Sequence, residues 1–340
     1  MGNVVVIGAG VAGLEVAGQL ALSGYKVTVA EKGDKIGGNL SNWHHLFPNR
    51  RNGDEVLNYL KKLVNKSDIT ILTGTEISNL SRKDGKIHLS FSKGDKLEAD
   101  AVVIATGFDL FDSRQKEEYG YGLYDNVISS ADLERMYKNG EVRMTNWKIP
   151  EKVGFIHCVG SRDEKIGNLY CSKLCCVTAV KQAIEICEKI KNVKAFCFYM
   201  DMRMSGAFYE ELYREAQEKY GISFIRGKVS EISENIKGKL VVKAEDTLAG
   251  RPLKMELDMV VLMAGIEMSK SGEYLADNSS LRRGGNRFFL PVDNHFGNNV
   301  SNMKGVFYAG CCVAPMNITE SISHARAAVN EVINYLRNLS

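Results

Sequence analysis

Four cysteines fall close together as Cys158-x12-Cys171-x3-Cys175-Cys176. Four thiolates are what an iron–sulfur cluster or a zinc ion takes from a protein. If the stretch is helical, Cys171 and Cys175 share a face and Cys176 is turned by ~100°. The adjacent pair is awkward around one tetrahedral zinc and easier at two corners of a cubane. A redox dithiol is the main competitor, but C-x-x-C occurs nowhere in the chain. Buried structural thiols are the bland alternative, and a cluster is the preferred reading. Four further cysteines complete the total of 8. Cys311 and Cys312 are adjacent, a spacing that rarely gives an unstrained disulfide, so they are read as packing plus cofactor contact. Cys187 and Cys197 stand alone in apolar surroundings.

A second chemistry-bearing pattern opens the chain. Asn3-Val-Val-Val-Ile runs into Gly8-x-Gly10-x-x-Gly13, then an apolar helical spacing from Leu14 to Ser23, then Lys26-Val-Thr-Val-Ala ending at Glu31. This is the strand, glycine turn, helix, strand and acid order of a dinucleotide-binding unit. Gly8 makes the tight turn, Gly10 lets backbone approach a pyrophosphate, and Gly13 lets helix pack on strand. Glu31 is placed to accept ribose hydroxyls. Gly37-Gly38-Asn39 follows, and Asp100-Ala-Val-Val-Ile ends in Ala105-Thr106-Gly107. That ending is similar to the second signature of flavoproteins with two dinucleotide domains, which hold FAD in the first. Gly305-Val-Phe-Tyr-Ala-Gly310-Cys311, with a helix from about Thr319, supplies a third piece. In that class an aspartate usually stands where Cys311 is. The helix N-terminus should favour an anionic reduced flavin by ~0.3–1 kcal/mol. Expected FAD contacts are therefore Gly8, Gly10, Gly13, Glu31, Lys32, Gly38, Asn39, Ile77, Ala105, Thr106, Gly107, Gly310, Cys311 and Thr319.

The elements that must position these groups read as two α/β lobes. The middle of the chain gives a strand at Val153–Cys158, a helix at Ser172–Ile190, a strand at Val193–Tyr199, a helix at Ala207–Tyr220 and a strand at Ile222–Ile225. A returning hairpin near Lys239–Ala244 precedes Asp258-Met-Val-Val-Leu-Met-Ala-Gly265, an echo of Asp100–Gly107. Where a second glycine fingerprint would bind NAD(P)H, the chain has Cys158-Val-Gly160-Ser161-Arg162 and the cysteine cluster. The expected fold is an α/β, thioredoxin-reductase-like flavoprotein with two three-layer Rossmann-type domains. The expected division is a first FAD segment at 1–112, a connecting segment at 113–149, an inserted lobe at 150–254 and a second FAD segment at 255–340.

Composition excludes several classes. The chain has 340 residues, 44% hydrophobic and 25% charged, with a net charge of +3. That is an ordinary globular mixture with no basic run for nucleic acid. No apolar stretch approaches the ~20 residues of a membrane span. The first strand begins at Asn3, leaving no room for a targeting peptide, so a cytoplasmic location is expected.

Several runs resemble the A-type subunits of heterodisulfide reductases: Ala105-Thr-Gly-Phe-Asp, Glu118-Tyr-Gly-Tyr-Gly, His157-Cys-Val-Gly-Ser-Arg-Asp, Tyr170-Cys-Ser-Lys-Leu-Cys-Cys, Tyr199-Met-Asp-Met-Arg and Gly310-Cys-Cys. The resemblance spans essentially the whole chain. It implies that Cys158, Cys171, Cys175 and Cys176 bind a [4Fe–4S] cluster near the flavin, and that Lys181 lies close to the isoalloxazine as a candidate donor to flavin N5. It also implies iron–sulfur partner subunits of the B and C types and a homodimer, with membrane association only through partners. The stretch Gly37–Pro48 contains no cysteine and the chain stops after the flavin helix. This resembles a short form, as in the heterodisulfide-reductase-like complexes of sulfur oxidisers; the flavoprotein of quinone-modifying complexes is a close relative.

The implied function is electron transfer between FAD and the cluster, serving thiol–disulfide chemistry in a partner. The alternatives are a stand-alone NAD(P)H-dependent disulfide reductase, the flavoprotein of a quinone-linked complex, or a non-catalytic assembly component with structural FAD. Other residues are read conservatively. His44 and His45, beside Trp43 and Phe47, take a surface or packing role. Strand alternation turns His157 away from Cys158 as a core histidine. Met200, Met202 and Met204 fill core, and Arg203 and Arg226 are structural.

Overall fold

A computed structural model describes residues 2–65, 68–92, 94 and 96–339. The chain forms two units, one comprising Met1–Ser41, Asp54–Asp109 and Glu267–Ser340, the other Asn42–Gly53 and Leu110–Ile266.

In the first unit, five parallel strands lie in the order Val306–Tyr308, Ala101–Ile104, Asn3–Ile7, Lys26–Ala30 and Ile69–Leu72. Every residue of Ala101–Ile104 is buried, the two-sided burial expected of a central parallel strand. Helices Val11–Leu22 and Ile318–Arg337 pack on one another. An antiparallel sheet of Ile77–Lys83, Lys86–Phe91 and Lys96–Ala99 adds a further layer. The N-terminal helix begins at Val11, ahead of the Leu14 start that its apolar spacing marks, and ends at Leu22.

The second unit repeats the plan. Its parallel sheet runs Val127–Ser129, Met259–Ala264, Lys152–Val159, Lys194–Tyr199, Ser223–Arg226. An antiparallel sheet of Val229–Glu234, Leu240–Asp246 and Arg251–Leu257 accompanies it. The units divide at Asp109 and at Glu267 rather than at 112 and 255. The reason is pairing: Met259–Ala264 is fully buried between Val127–Ser129 and Lys152–Val159, so it and the expected connecting segment belong to the second sheet.

Two local readings are corrected. The helix expected over Ser172–Ile190 spans Cys175–Lys189, so Cys171 sits in the preceding loop and shares no helical face with Cys175. The Lys152–Val159 strand carries a register shift between Ile156 and Val159 against Met259–Ala264. Such a bulge breaks side-chain alternation and re-aims the residues within it; Cys158 there has φ +59°.

Candidate functional site

The glycine turn of the first unit is built by two kinds of glycine. At Gly8, with φ +105°, an added methyl would overlap the Ala105 carbonyl oxygen, and at Gly13 it would overlap the Gly8 carbonyl oxygen. Both are required by the chain itself. At Gly10 the nearest atom to an added methyl is the Gly38 Cα, 4.0 Å away. Among the described residues nothing demands a glycine there, and the open space at this helix N-terminus is of the kind a pyrophosphate approach needs. Gly38, with φ +54°, brings its backbone against Gly10, and the Asn39 amide donates to the Phe108 carbonyl at 3.0 Å.

The flanking groups fit the same dinucleotide. Glu31 accepts from the backbone N–H groups of Ala9 at 2.7 Å and Gly33 at 2.8 Å, which fixes its carboxylate beside the turn. The Ala105 N–H donates to the Ile7 carbonyl, so Ala105-Thr106-Gly107 emerges beside Gly8. The Thr106 hydroxyl is buried with no hydrogen-bond partner among the described residues, a polar atom that a bound group would satisfy. Lys32 is exposed and Ile77 is buried at the start of its strand. The Gly310 N–H donates to His324 Nδ1 at 2.9 Å. Cys311, in the position where the class carries an aspartate, donates its thiol to the Met316 carbonyl at 3.2 Å. Cys312 is sealed in the core, and burial pushes its thiol up to about 12. Thr319 lies in the first turn of Ile318–Arg337, whose Asn317 cap accepts from the Glu320 N–H at 2.8 Å.

The second unit gathers the cysteines. The bulge at Cys158 and the start of the Cys175–Lys189 helix bring Cys158 Sγ to 3.6 Å from Cys175 Sγ. The loop that carries Cys171 is fixed by backbone bonds from Arg162 to Tyr170 and from Asp163 to Asn168, and the Lys173 N–H donates to Cys171 Sγ at 3.3 Å. A buried ion pair, Lys116–Asp163 at 2.7 Å, anchors its base. Cys158, Arg162 and Lys173 all adopt left-handed φ, a concentration of strain typical of a site whose geometry is imposed. Cys175 and the imidazole of His157 hold the Cys176 thiol down to about 4, while its partners push Cys175 well up. His157 therefore lies against Cys176, not on the far face, because the bulge breaks the alternation.

The spread of the sulfurs bears on which metal they suit. Zn–S bonds of ~2.3 Å place thiolates ~3.8 Å apart around one tetrahedral ion. Cys158 Sγ and Cys175 Sγ, 3.6 Å apart, have about that spacing, and among the described residues no third cysteine sulfur lies within 4.8 Å of both. Arg162, which acts electrostatically on Cys158 and Cys171, keeps Nη1 buried without a partner while its Nη2 binds Asp201 at 2.7 Å.

Lys181, on the same helix, is buried, with Nζ paired to Glu134 and lying 3.3 Å from Glu185 Oε2. Gln182 Nε2 donates to Glu134 at 2.7 Å, and the His44 N–H donates to Glu134 Oε2 at 2.8 Å. His45 Nδ1 sits 2.7 Å from Glu185 Oε1. Sequence reasoning misses Glu134 and Glu185 and gives His44 and His45 a packing role. The available signal is Lys181, Gln182 and Glu185 sharing one face, at i, i+3 and i+4 spacing, of a helix otherwise rich in apolar residues.

Residues 2–128 match the family model described as pyridine nucleotide-disulphide oxidoreductase. The chain is 30% identical over 421 aligned positions to the A-type subunit of the Ferredoxin/F(420)H(2)-dependent CoB-CoM heterodisulfide reductase of Methanosarcina acetivorans, covering 98% of this chain and 53% of that one. It is 39% identical to the A-type iron-sulfur subunit of the CoB–CoM heterodisulfide reductase of Methanocaldococcus jannaschii, over 70% of this chain and 37% of that one. The chain thus spans about half the length, or less, of these curated relatives. Among solved structures, the thioredoxin reductase of T. acidophilum superposes with a TM-score of 0.68 at 20% identity over the whole of both chains. The thioredoxin-reductase-like fold is thereby established.

Proposed function

This chain belongs among the homologues of the heterodisulfide reductase A subunit, and from that premise we propose that it is an FAD-dependent oxidoreductase relaying electrons between FAD and a [4Fe–4S] cluster. The oxidoreductase class is common to the matched family model and the curated relatives. The observation that carries the finer reading is that one unit supplies four thiols, Cys158, Cys171, Cys175 and Cys176, from a bulge, a strained loop and a helix start.

When bound, FAD would supply two-electron chemistry and the cluster single-electron transfer. Gly10, Glu31, Gly38 and Thr106 would hold the dinucleotide, and Thr319 would lie in the helix turn that favours negative charge. The four cysteines would ligate the cluster, with Arg162 Nη1 as a charge partner for their thiolates. Lys181 is proposed as the donor towards flavin N5, its ammonium fixed by Glu134 and Glu185. Thiol–disulfide chemistry is assigned to iron–sulfur partners of the B and C types, because this chain offers no C-x-x-C of its own. The chain would act as a homodimer in the cytoplasm; among the described residues no helix is long and apolar enough to cross a membrane.

A stand-alone NAD(P)H reductase is disfavoured by the second unit's turn. A methyl at Gly160 would overlap the Phe111 ring, so a side chain of the chain itself takes that approach. Residues 160–174 separate the strand from the helix, and no helix N-terminus follows the turn directly. The test is iron and acid-labile sulfide per FAD on anaerobically purified protein. About four irons per flavin is expected, with flavin bleaching by NAD(P)H slow or absent. No iron after reconstitution, together with rapid bleaching, would replace this reading with the disulfide reductase.

A further inference from the structure

His44, His45 and Glu185 have a geometry that the flavin and the cysteines do not explain. His45 Nδ1 lies 2.7 Å and His44 Nδ1 3.8 Å from the same oxygen, Glu185 Oε1. All three ligand atoms fall within 4.8 Å of one another. The two imidazole rings lie 3.8 Å apart between centroids, inclined by 37°. His44 Nδ1 is buried and makes no hydrogen bond among the described residues. We propose that these three side chains form a site for a single divalent transition metal of the zinc type, binding through His44 Nδ1, His45 Nδ1 and Glu185 Oε1.

Two imidazoles and a carboxylate suit zinc and its neighbours, whose bonds to nitrogen and oxygen of ~2.0–2.2 Å place ligand atoms ~3.3–3.5 Å apart. The observed 2.7 and 3.8 Å bracket that spacing. A proton on His45 would bond only one imidazole to Glu185 and leave His44 Nδ1 without a hydrogen bond. A metal at the shared centre engages all three atoms.

The supporting shell is in place. Lys181 lies 3.3 Å from the second oxygen of Glu185. The His44 backbone N–H is tied to Glu134 at 2.8 Å, and Glu134 is tied in turn to Gln182 at 2.7 Å. Such outer contacts orient ligands and raise affinity. The site joins segment 42–53 to the Cys175–Lys189 helix, so a metal there would pin that segment.

The test is Co2+ titration of the chelator-treated, anaerobic holoprotein, with the visible ligand-field bands as readout. One Co2+ per chain is expected, without the thiolate charge-transfer absorption that cysteine ligation would give. His45→Ala, at a half-buried side chain, should weaken binding by at least ~100-fold, with flavin content and melting temperature checking its fold. His44→Gln should weaken it as well. No saturable Co2+ binding by the unaltered protein, a thiolate-type spectrum, or unchanged affinity in a folded His45→Ala variant would each overturn the site.

Discussion

The division of labour between Gly10 and Gly13 gives the sharpest test of the first unit. Gly10 has φ −80° and ψ −167°, a conformation open to any L-residue, and an added methyl meets nothing closer than 4.0 Å. In flavin-free protein Gly10→Ala should be neutral or stabilising by about 0.4–1 kcal/mol, because alanine lowers the entropy of the unfolded chain. That corresponds to a rise of up to roughly 4 °C in melting temperature. The same methyl stands where a pyrophosphate must approach. Loss of one charge-assisted hydrogen bond there costs about 1.5–3 kcal/mol, a rise in the FAD dissociation constant of roughly 10- to 150-fold. Gly13→Ala should behave oppositely, since its methyl would overlap the Gly8 carbonyl oxygen and destabilise the unit with or without flavin. The assays are differential scanning fluorimetry of flavin-free protein and fluorescence titration with FAD. If Gly10→Ala melts lower without flavin, or binds FAD as tightly as the parent, the assignment of Gly10 to the ligand is refuted.

Cys175→Ala should abolish iron binding while FAD remains stoichiometric, because the two sites draw on different units; loss of both, read from iron analysis and the flavin spectrum, would contradict this. Lys181→Met leaves Glu134 and Glu185 buried without their cation, and removal of one partner from a buried pair costs about 3–5 kcal/mol. Urea unfolding should move accordingly, and Lys181→Met with Glu134→Gln should recover part of the loss. For Asp163, burial acts to raise the carboxyl, but Lys116 outweighs it and holds the folded value below the ordinary ~3.9. Its stabilising contribution is therefore complete above that ordinary value and is lost as pH falls through the lower folded one. Urea midpoints across the acid range should show this limb, and Lys116→Met should flatten it.

The parts of the molecule legible in the sequence are those set by local chain physics. Asn3–Ile7, the glycines and Lys26–Ala30 follow from period and turn chemistry over about thirty residues. Ala105-Thr106-Gly107 is legible because a buried parallel strand reads as an unbroken apolar run. What periodicity cannot reveal is equally specific. Alternation assumes a regular strand, so it misplaces His157 at a bulge defined only by pairing with Met259–Ala264. Helical spacing carries the helix back to Ser172, although Cys171 is held by a loop whose bonds join Arg162 to Tyr170. Segment 42–53 lies between two stretches of the first unit in sequence, yet His44 and His45 meet Glu134 and Glu185 of the second. Partners separated by 90 and 140 residues leave no local trace.

The two units share a plan and differ where chemistry differs. Each has five parallel strands with an antiparallel sheet alongside, and each places a glycine-bearing turn after a central strand. In the first unit the helix starts at Val11, directly after Gly10, and the space beside Gly10 is left clear. Backbone N–H groups at that helix start can therefore reach a phosphate. In the second unit the Phe111 ring packs against Gly160, and the helix begins only at Cys175. The intervening loop carries Cys171, while the helix start supplies Cys175 and Cys176. The late helix start leaves no helix N-terminus directly after this turn, and it puts Cys175 Sγ 3.6 Å from Cys158 Sγ at the end of the central strand. The same stretch of chain that closes the turn to a phosphate thus brings two thiols together, whereas in the first unit the turn and the helix start stay adjacent and open.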